Sequence, residues 1–234
     1  MQLWVYLAST PLFGLTATLV VYVLASALSD RVGRAPWANP VLWSVVFLGA
    51  LLLATRTPYP TYFAGAQFVH VLLGPAVVAL AWPLWQRRAE MRRRGVALTL
   101  AALVGGGVAG GTAVALALAF GLPGDILRSL AVKSVTAPVA MGIAERIGGV
   151  PALAAVFAVL TGLVGAVSGR IIFNALGVQA WAVRGFALGT VSHGIGAARA
   201  LQVDADAGAY AGIALGLQLL LASLVVPLLF RLVG

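Results

Sequence analysis

The sequence predicts an all-α polytopic membrane protein, and three observations carry that prediction. Of 234 residues, 62% are hydrophobic and 9% are charged, where a soluble domain carries roughly a quarter charged residues. Mean hydropathy is +1.03. Apolar windows near the roughly 20 residues of a spanning helix recur at Leu3–Leu28, Val41–Ala54, Phe68–Gln86, Val96–Phe120, Pro151–Val167, Trp181–Leu201 and Ala207–Phe230, all uncharged except Trp181–Leu201, which holds Arg184 and Arg199. Such long unbroken runs exclude a transmembrane β-barrel, whose strands alternate in short segments. The same composition excludes a soluble fold and intrinsic disorder.

The first window follows Met1 with no basic leader region and no small-residue cleavage site before Asp30, so it is expected to be a retained span. The net charge of +9 falls in short loops rather than on a soluble face, which removes nucleic acid as a partner. Short cytoplasmic loops accumulate arginine, so the cluster Arg87, Arg88, Arg92, Arg93 and Arg94 places that loop inside. The segment Asp30–Arg34 is then inside as well, and Met1 outside. There are no cysteines, hence no disulfides and no thiolate chemistry.

Compared with itself, the chain repeats. At a shift of 115, Asp30-Arg31-Val32-Gly33-Arg34-Ala35-Pro36 falls on Glu145-Arg146-Ile147-Gly148-Gly149-Val150-Pro151, and Leu73-Gly74-Pro75 on Leu188-Gly189-Thr190. This predicts two repeats, 1–121 and 122–234, within one integral membrane domain. Upstream of the match, Ser9-Thr10-Pro11 resembles Thr136-Ala137-Pro138 only at a shift of 127. The twelve extra residues in the first half are about 18 Å of helix, roughly half a bilayer. The element after Pro11 can therefore cross, whereas Ile126–Val135 and Val139–Ile147, broken at Pro138, form a re-entrant hairpin. The later spans would then run opposite to their counterparts, giving inverted repeats with about seven spans plus the hairpin. That arrangement puts Arg170, Arg184 and Arg231 inside, Asp204 and Asp206 outside, and the C-terminus in the cytoplasm. The competing arrangement has Ile126–Gly149 as a full span, eight spans in all, and parallel repeats.

Polar residues inside apolar windows are expensive and therefore informative. Gly74-Pro75 interrupts one span, and Gly189, Gly194 and Gly196 interrupt the span related to it. Glycine- or proline-broken stretches at matching positions point to discontinuous helices around a midplane site. For Gly105–Gly111 close helix packing is the better account. Lys133, the only lysine, precedes Ser134, Thr136 and Pro138; it either binds a ligand or snorkels to the interface. Ser192, His193 and Arg199 lie within one broken segment. His193 is a proton-coupling candidate or a packed neutral imidazole; Arg199 binds an acid or anchors near Asp204. Ser192 and Arg199 share a face if the helix continues. The predicted substrate site is thus Lys133, Ser134, Thr136, Pro138, Ser192, His193 and Arg199, with Gly74 and Pro75 opposite. No span holds a carboxylate pair, a metal-ligand cluster or a nucleophile motif, so neither an enzyme nor a metal or other cofactor is expected; the open cofactor-like question is a coupling proton or sodium ion.

Leu72–Trp85, Lys133-Ser134-Val135-Thr136-Ala137-Pro138-Val139-Ala140-Met141 and Ser192-His193-Gly194-Ile195-Gly196-Ala197-Ala198-Arg199-Ala200 together resemble the LrgB/CidB membrane proteins, in order and spacing over essentially the whole chain. Trp85 stands where that family usually has tyrosine, and Ala197 where it commonly has threonine. The resemblance implies two accounts. Bacterial members are antiholin-like partners of LrgA-type small membrane proteins in murein hydrolase export and autolysis; a plastid member, similar in its C-terminal half, is a glycolate/glycerate translocator. The broken repeats favour the second: a transporter of small monocarboxylates such as glycolate, glycerate, lactate or pyruvate, elevator-like, in the bacterial inner membrane. The expected partners are the carboxylate, the lipid bilayer, an LrgA-type protein and a second copy in a homodimer.

Overall fold

The computed structural model describes residues 11–72, 75, 78, 81–86 and 88–233. Among them every regular element is helical. Packing divides the chain into two compact units, Met1–Val78 and Ala79–Gly234.

The first unit contains α1 (Pro11–Arg31), a 3-10 turn at Pro36–Ala38, α2 (Pro40–Thr55) and α3 (Tyr59–Val71). Proline opens α1 and α2 where a missing N–H costs nothing, and Asn39 caps α2 by accepting from the amides of Val41 and Leu42 at 2.9 and 3.2 Å. Helices α1 and α3 touch through Gly14, where a Cβ would collide with the Tyr62 carbonyl. The Thr18 hydroxyl joins the Tyr62 hydroxyl there at 2.7 Å.

The second unit contains α4 (Ala81–Gln86), α5 (Arg88–Ala119), α6 (Gly124–Ala131), α7 (Ala137–Ile147), α8 (Pro151–Ala175), α9 (Trp181–Val203) and α10 (Ala205–Val233). Helix α5 lies on the first-repeat side of residue 121 but packs on α6, α9 and α10. Among the described residues, α1, α5, α8 and α10 are long and apolar enough to cross a bilayer. Their outward leucines and valines, such as Leu100, Val104, Val108 and Leu224, are exposed, as lipid-facing side chains are.

Helices α6 and α7 have 8 and 11 residues, about 12 and 17 Å, too short to cross. The chain reverses between them. Gly148, in the left-handed region at φ +74°, lies beside the Arg128 side chain, and the Val150 amide donates to Ser129 Oγ at 2.8 Å. The pair is a hairpin of two short helices at the place where a re-entrant hairpin was expected, and α1, at 21 residues, is the longer element at the corresponding place in the first half. The break differs from expectation. It occupies Val132–Thr136, while Pro138 sits in the first turn of α7, because proline is tolerated there and not mid-helix. The matched motifs also share local form: Gly33 and Gly148 are both left-handed, at φ +66° and +74°, and Pro36 and Pro151 each start a helix.

The expectation that Trp181–Leu201 crosses as a span is not met. At His193 the backbone turns to φ 42°, ψ −135°, and α9 folds back on itself. A Cβ on Gly196 would lie 2.7 Å from the Leu188 carbonyl oxygen, whereas eight residues of continuous helix separate atoms by about 12 Å. Its arms, 181–192 and 194–203, form a second hairpin. The first arm runs antiparallel to α8, with Leu188 at Gly169 and His193 at Gly162, and parallel to α10, with Gly185 at Ala207 and Gly189 at Ala211. Helices α5 and α10 run in the same direction: the Tyr210 hydroxyl donates to Glu90, and Gly106 abuts Gln218. The two hairpins thus enter from opposite ends of the unit.

Candidate functional site

The hairpin tips meet near the midpoints of α5, α8 and α10. In the first tip, Val132 and Val135 are buried in a cluster with Ala140, Ile143, Ala154, Ala158 and Ala222, which holds the non-helical segment in place. Between and beside these valines stand Ser134 and Thr136, both buried. Thr136 occupies the N-cap of α7 yet makes no capping bond with its side chain, although threonine there ordinarily satisfies an orphan amide. In the second tip, the arm beginning at Gly194 faces Thr136, whose methyl would lie 4.0 Å from a Cβ on that glycine. The N-termini of α7 and of the second α9 arm are therefore neighbours, and each presents free amides and the positive end of a dipole.

Among the described residues, four buried oxygens have no hydrogen-bond partner: Ser134 Oγ, Thr136 Oγ1, Ser192 Oγ and Gln218 Oε1. Buried polar atoms are nearly always satisfied, so orphans on both hairpin tips and on the facing α10 are sites for polar guests. Ser134 and Gln218 line a small cavity of about 60 Å³ with Gly106 and Ala131. Of these four, Ser134, Thr136 and Ser192 were expected from the sequence and Gln218 was not. A glutamine inside an otherwise apolar α10 window was the available signal, and the triple glycine 105–107 opposite it the second.

The expected close packing of α5 is present: Cβ atoms on Gly105, Gly106 and Gly110 would meet Thr190, Gln218 and Ala131. On α8, Gly162 and Gly165 open notches for His193 and Ser192. His193 Nε2 donates to the Ala158 carbonyl at 2.7 Å, so that nitrogen serves packing. Lys133, next to Ser134 in the chain, is half-buried.

Other expected residues lie elsewhere. Arg199 is not at the tips. The fold-back breaks the face it would share with Ser192 and puts it at the base of the second hairpin, in a cavity of about 460 Å³ with Arg170 and Arg184. Gly74 and the side chain of His70 are outside the described residues; Pro75 is helical and exposed within the first unit.

An all-helical unit with apolar helices long enough to cross a bilayer, two opposed helical hairpins and unsatisfied buried polar atoms near their tips defines the class of protein. A family model described as LrgB-like matches residues 18–232, and the chain belongs to that family. It is 34% identical to the uncharacterized protein YxaC of Bacillus subtilis, over 82% of this chain and 84% of that one. It is 31% identical to an uncharacterized protein of Haemophilus influenzae, over 92% and 93%, and 29% identical to the holin-like protein CidB of Staphylococcus aureus, over 92% and 93%. No solved structure matches.

Proposed function

We propose that this LrgB-like membrane protein is a secondary transporter of small monocarboxylates of the glycolate, glycerate, lactate or pyruvate kind, working by alternating access. The observation that supports this reading is the set of four unpaired buried oxygens where two opposed hairpin tips meet. The hydroxyls of Ser134, Thr136 and Ser192 donate to the carboxylate, and Gln218 Oε1 accepts from the substrate hydroxyl. Lys133 and the two helix N-termini supply positive potential, since an uncompensated buried charge costs several kcal/mol. The hairpins and the helices that grip them move elevator-like against the remaining spans, with inverted repeats giving two equivalent end states. Carbonyls at the C-terminal ends of α6 and the first α9 arm offer a place for a coupling sodium ion; Nδ1 of His193 is the alternative route, for a proton.

With Arg88–Arg94 in the cytoplasm, the parallel course of α5 and α10 puts the end of α10 outside. On this reading the C-terminus is outside, where the sequence led us to expect it in the cytoplasm, because a folded-back α9 changes the parity of every later segment. The N-terminus stays outside on the charge argument alone.

The name of the Staphylococcus relative favours a second reading, in which the chain is a holin-like or antiholin-like regulator of murein hydrolase export acting with an LrgA-type partner. The two part cleanly in one experiment. Purified protein alone in liposomes is given radiolabelled glycolate, lactate and pyruvate. Saturable uptake, lost in Ser134→Ala and Thr136→Val, is expected; absence of uptake of all three, with restored autolysis control only when an LrgA-type protein is present, would establish the second reading.

A further inference from the structure

Each hairpin opens at its base into a cavity that carries three arginines. Beneath the α9 hairpin, Arg170, Arg184 and Arg199 line about 460 Å³ together with Asn174, Trp181 and Leu188. Beneath the α6–α7 hairpin, Arg128, Arg146 and Arg231 line about 580 Å³ with Phe230 and Pro227. Among the described residues no acidic side chain lines either one. Asp204, next to the first, spends Oδ1 on the amides of Asp206 and Ala207 at 2.9 and 3.0 Å; Asp125 and Glu145, next to the second, are exposed. Arg184 is buried and locked. Its Nε donates to the Val178 carbonyl and its Nη2 to Asn174 Oδ1, both at 2.7 Å, and it stacks over Trp181 and Phe173. Two of its five N–H groups are used, which leaves a preorganised fork toward the cavity.

The cavities sit at opposite ends of α10, by Ala207 and by Pro227–Arg231. Whichever end is cytoplasmic, one arginine triad lies on the other face, where the bias toward cytoplasmic arginine does not account for it. We propose that both cavities are antechambers that select carboxylate anions from solution on the two sides of the membrane and pass them to the hairpin tips. Charge of one sign in a low-dielectric cleft concentrates the opposite ion and raises its rate of capture. The inference rests on the transport reading for the passage inward, but not for the binding of anions at the arginines.

The test uses the full chain in phosphatidylcholine nanodiscs and the arginine reagent phenylglyoxal, with peptide mass spectrometry. Sodium glycolate is expected to slow modification of Arg170, Arg199, Arg128, Arg146 and Arg231 several-fold, while neutral glycolamide, sodium chloride at equal ionic strength, and the control residues Arg56 and Arg94 show no effect. In liposomes, Arg170→Gln and Arg231→Gln are expected to raise KM for glycolate by roughly three- to tenfold with kcat within twofold, and to flatten the salt dependence of KM. Protection without uptake in any variant would keep the antechambers and remove the transport reading. Uptake with no glycolate protection, or protection that only phosphatidylglycerol in the nanodisc confers, would overturn the proposal, the latter in favour of a lipid headgroup site.

Discussion

His193 Nε2 lies 2.7 Å from the carbonyl oxygen of Ala158, and this bond ties the turn of the second hairpin to α8. The same residue holds φ 42°, ψ −135°, a region that side-chain-bearing residues avoid at a cost of about 1–3 kcal/mol. A strained residue persists when its surroundings over-determine it. Here the surroundings are the Ala158 carbonyl and the Gly162 notch, where a Cβ would stand 3.0 Å from Nε2.

His193→Ala loses the bond and keeps the strain, whereas His193→Gly loses both. The glycine variant should therefore be the more stable of the two by about 1–3 kcal/mol, measured as thermal midpoint or denaturant midpoint in detergent. An alanine variant as stable as the glycine one would show that the turn is not strained.

The orphan oxygens permit a sharper separation of roles. Replacing an unsatisfied buried polar atom by an apolar one removes a desolvation cost and no bond, so Ser134→Ala, Thr136→Val, Ser192→Ala and Gln218→Leu should leave unliganded stability unchanged or raise it by about 1 kcal/mol. Substrate binding should weaken by roughly 10- to 100-fold in each, since a hydrogen bond to a charged group is worth about 1.5–3 kcal/mol, and more in Lys133→Gln. Thermal melts with and without glycolate check both halves. Loss of stability without ligand in all four would make them structural.

How much of this was legible in the sequence follows from what each signal measures. The twelve-residue shortening before Glu145 foretold the first hairpin, because helix length against bilayer thickness is a one-dimensional quantity. Ser134, Thr136 and Ser192 were legible for the same reason that intramembrane polar groups always are. The second hairpin was legible only in part: Gly189, Gly194 and Gly196 marked Trp181–Leu201 as broken, but whether a broken helix continues onward or folds back hangs on the backbone of one residue, His193, which no periodic signal reports. Once α9 was read as crossing, Arg199 was expected beside Ser192, whereas it lies at the hairpin base with Arg170 and Arg184. Gln218 escaped notice because a single amide in a 29-residue helix has no periodic signature.

The fold-back makes a topological prediction that the cysteine-free chain suits. Single cysteines at Gln179 and Asp204, at the bases of the two α9 arms, should react with an impermeant maleimide from the same side, and cysteines at Gln86 and Leu232 from opposite sides. Gln179 and Asp204 labelled from opposite faces would restore α9 as a span.

The glycine notches of α8 supply the last prediction. A Cβ on Gly165 would overlap the Ser192 hydroxyl, and neither partner can retreat: Gly165 is mid-helix, while Ser192 is held by the turn that His193 anchors. Overpacking of this kind costs about 1–3 kcal/mol, so Gly165→Ala should lower the thermal midpoint. Ser192→Gly in the same chain removes the obstructing side chain and should recover most of that loss, a coupling visible in a double-mutant cycle because the two residues are in contact. The rescued double variant regains its fold without regaining the Ser192 hydroxyl. If Ser192 only packs, uptake returns with stability; if it meets the substrate, stability returns and uptake does not. The second outcome is expected.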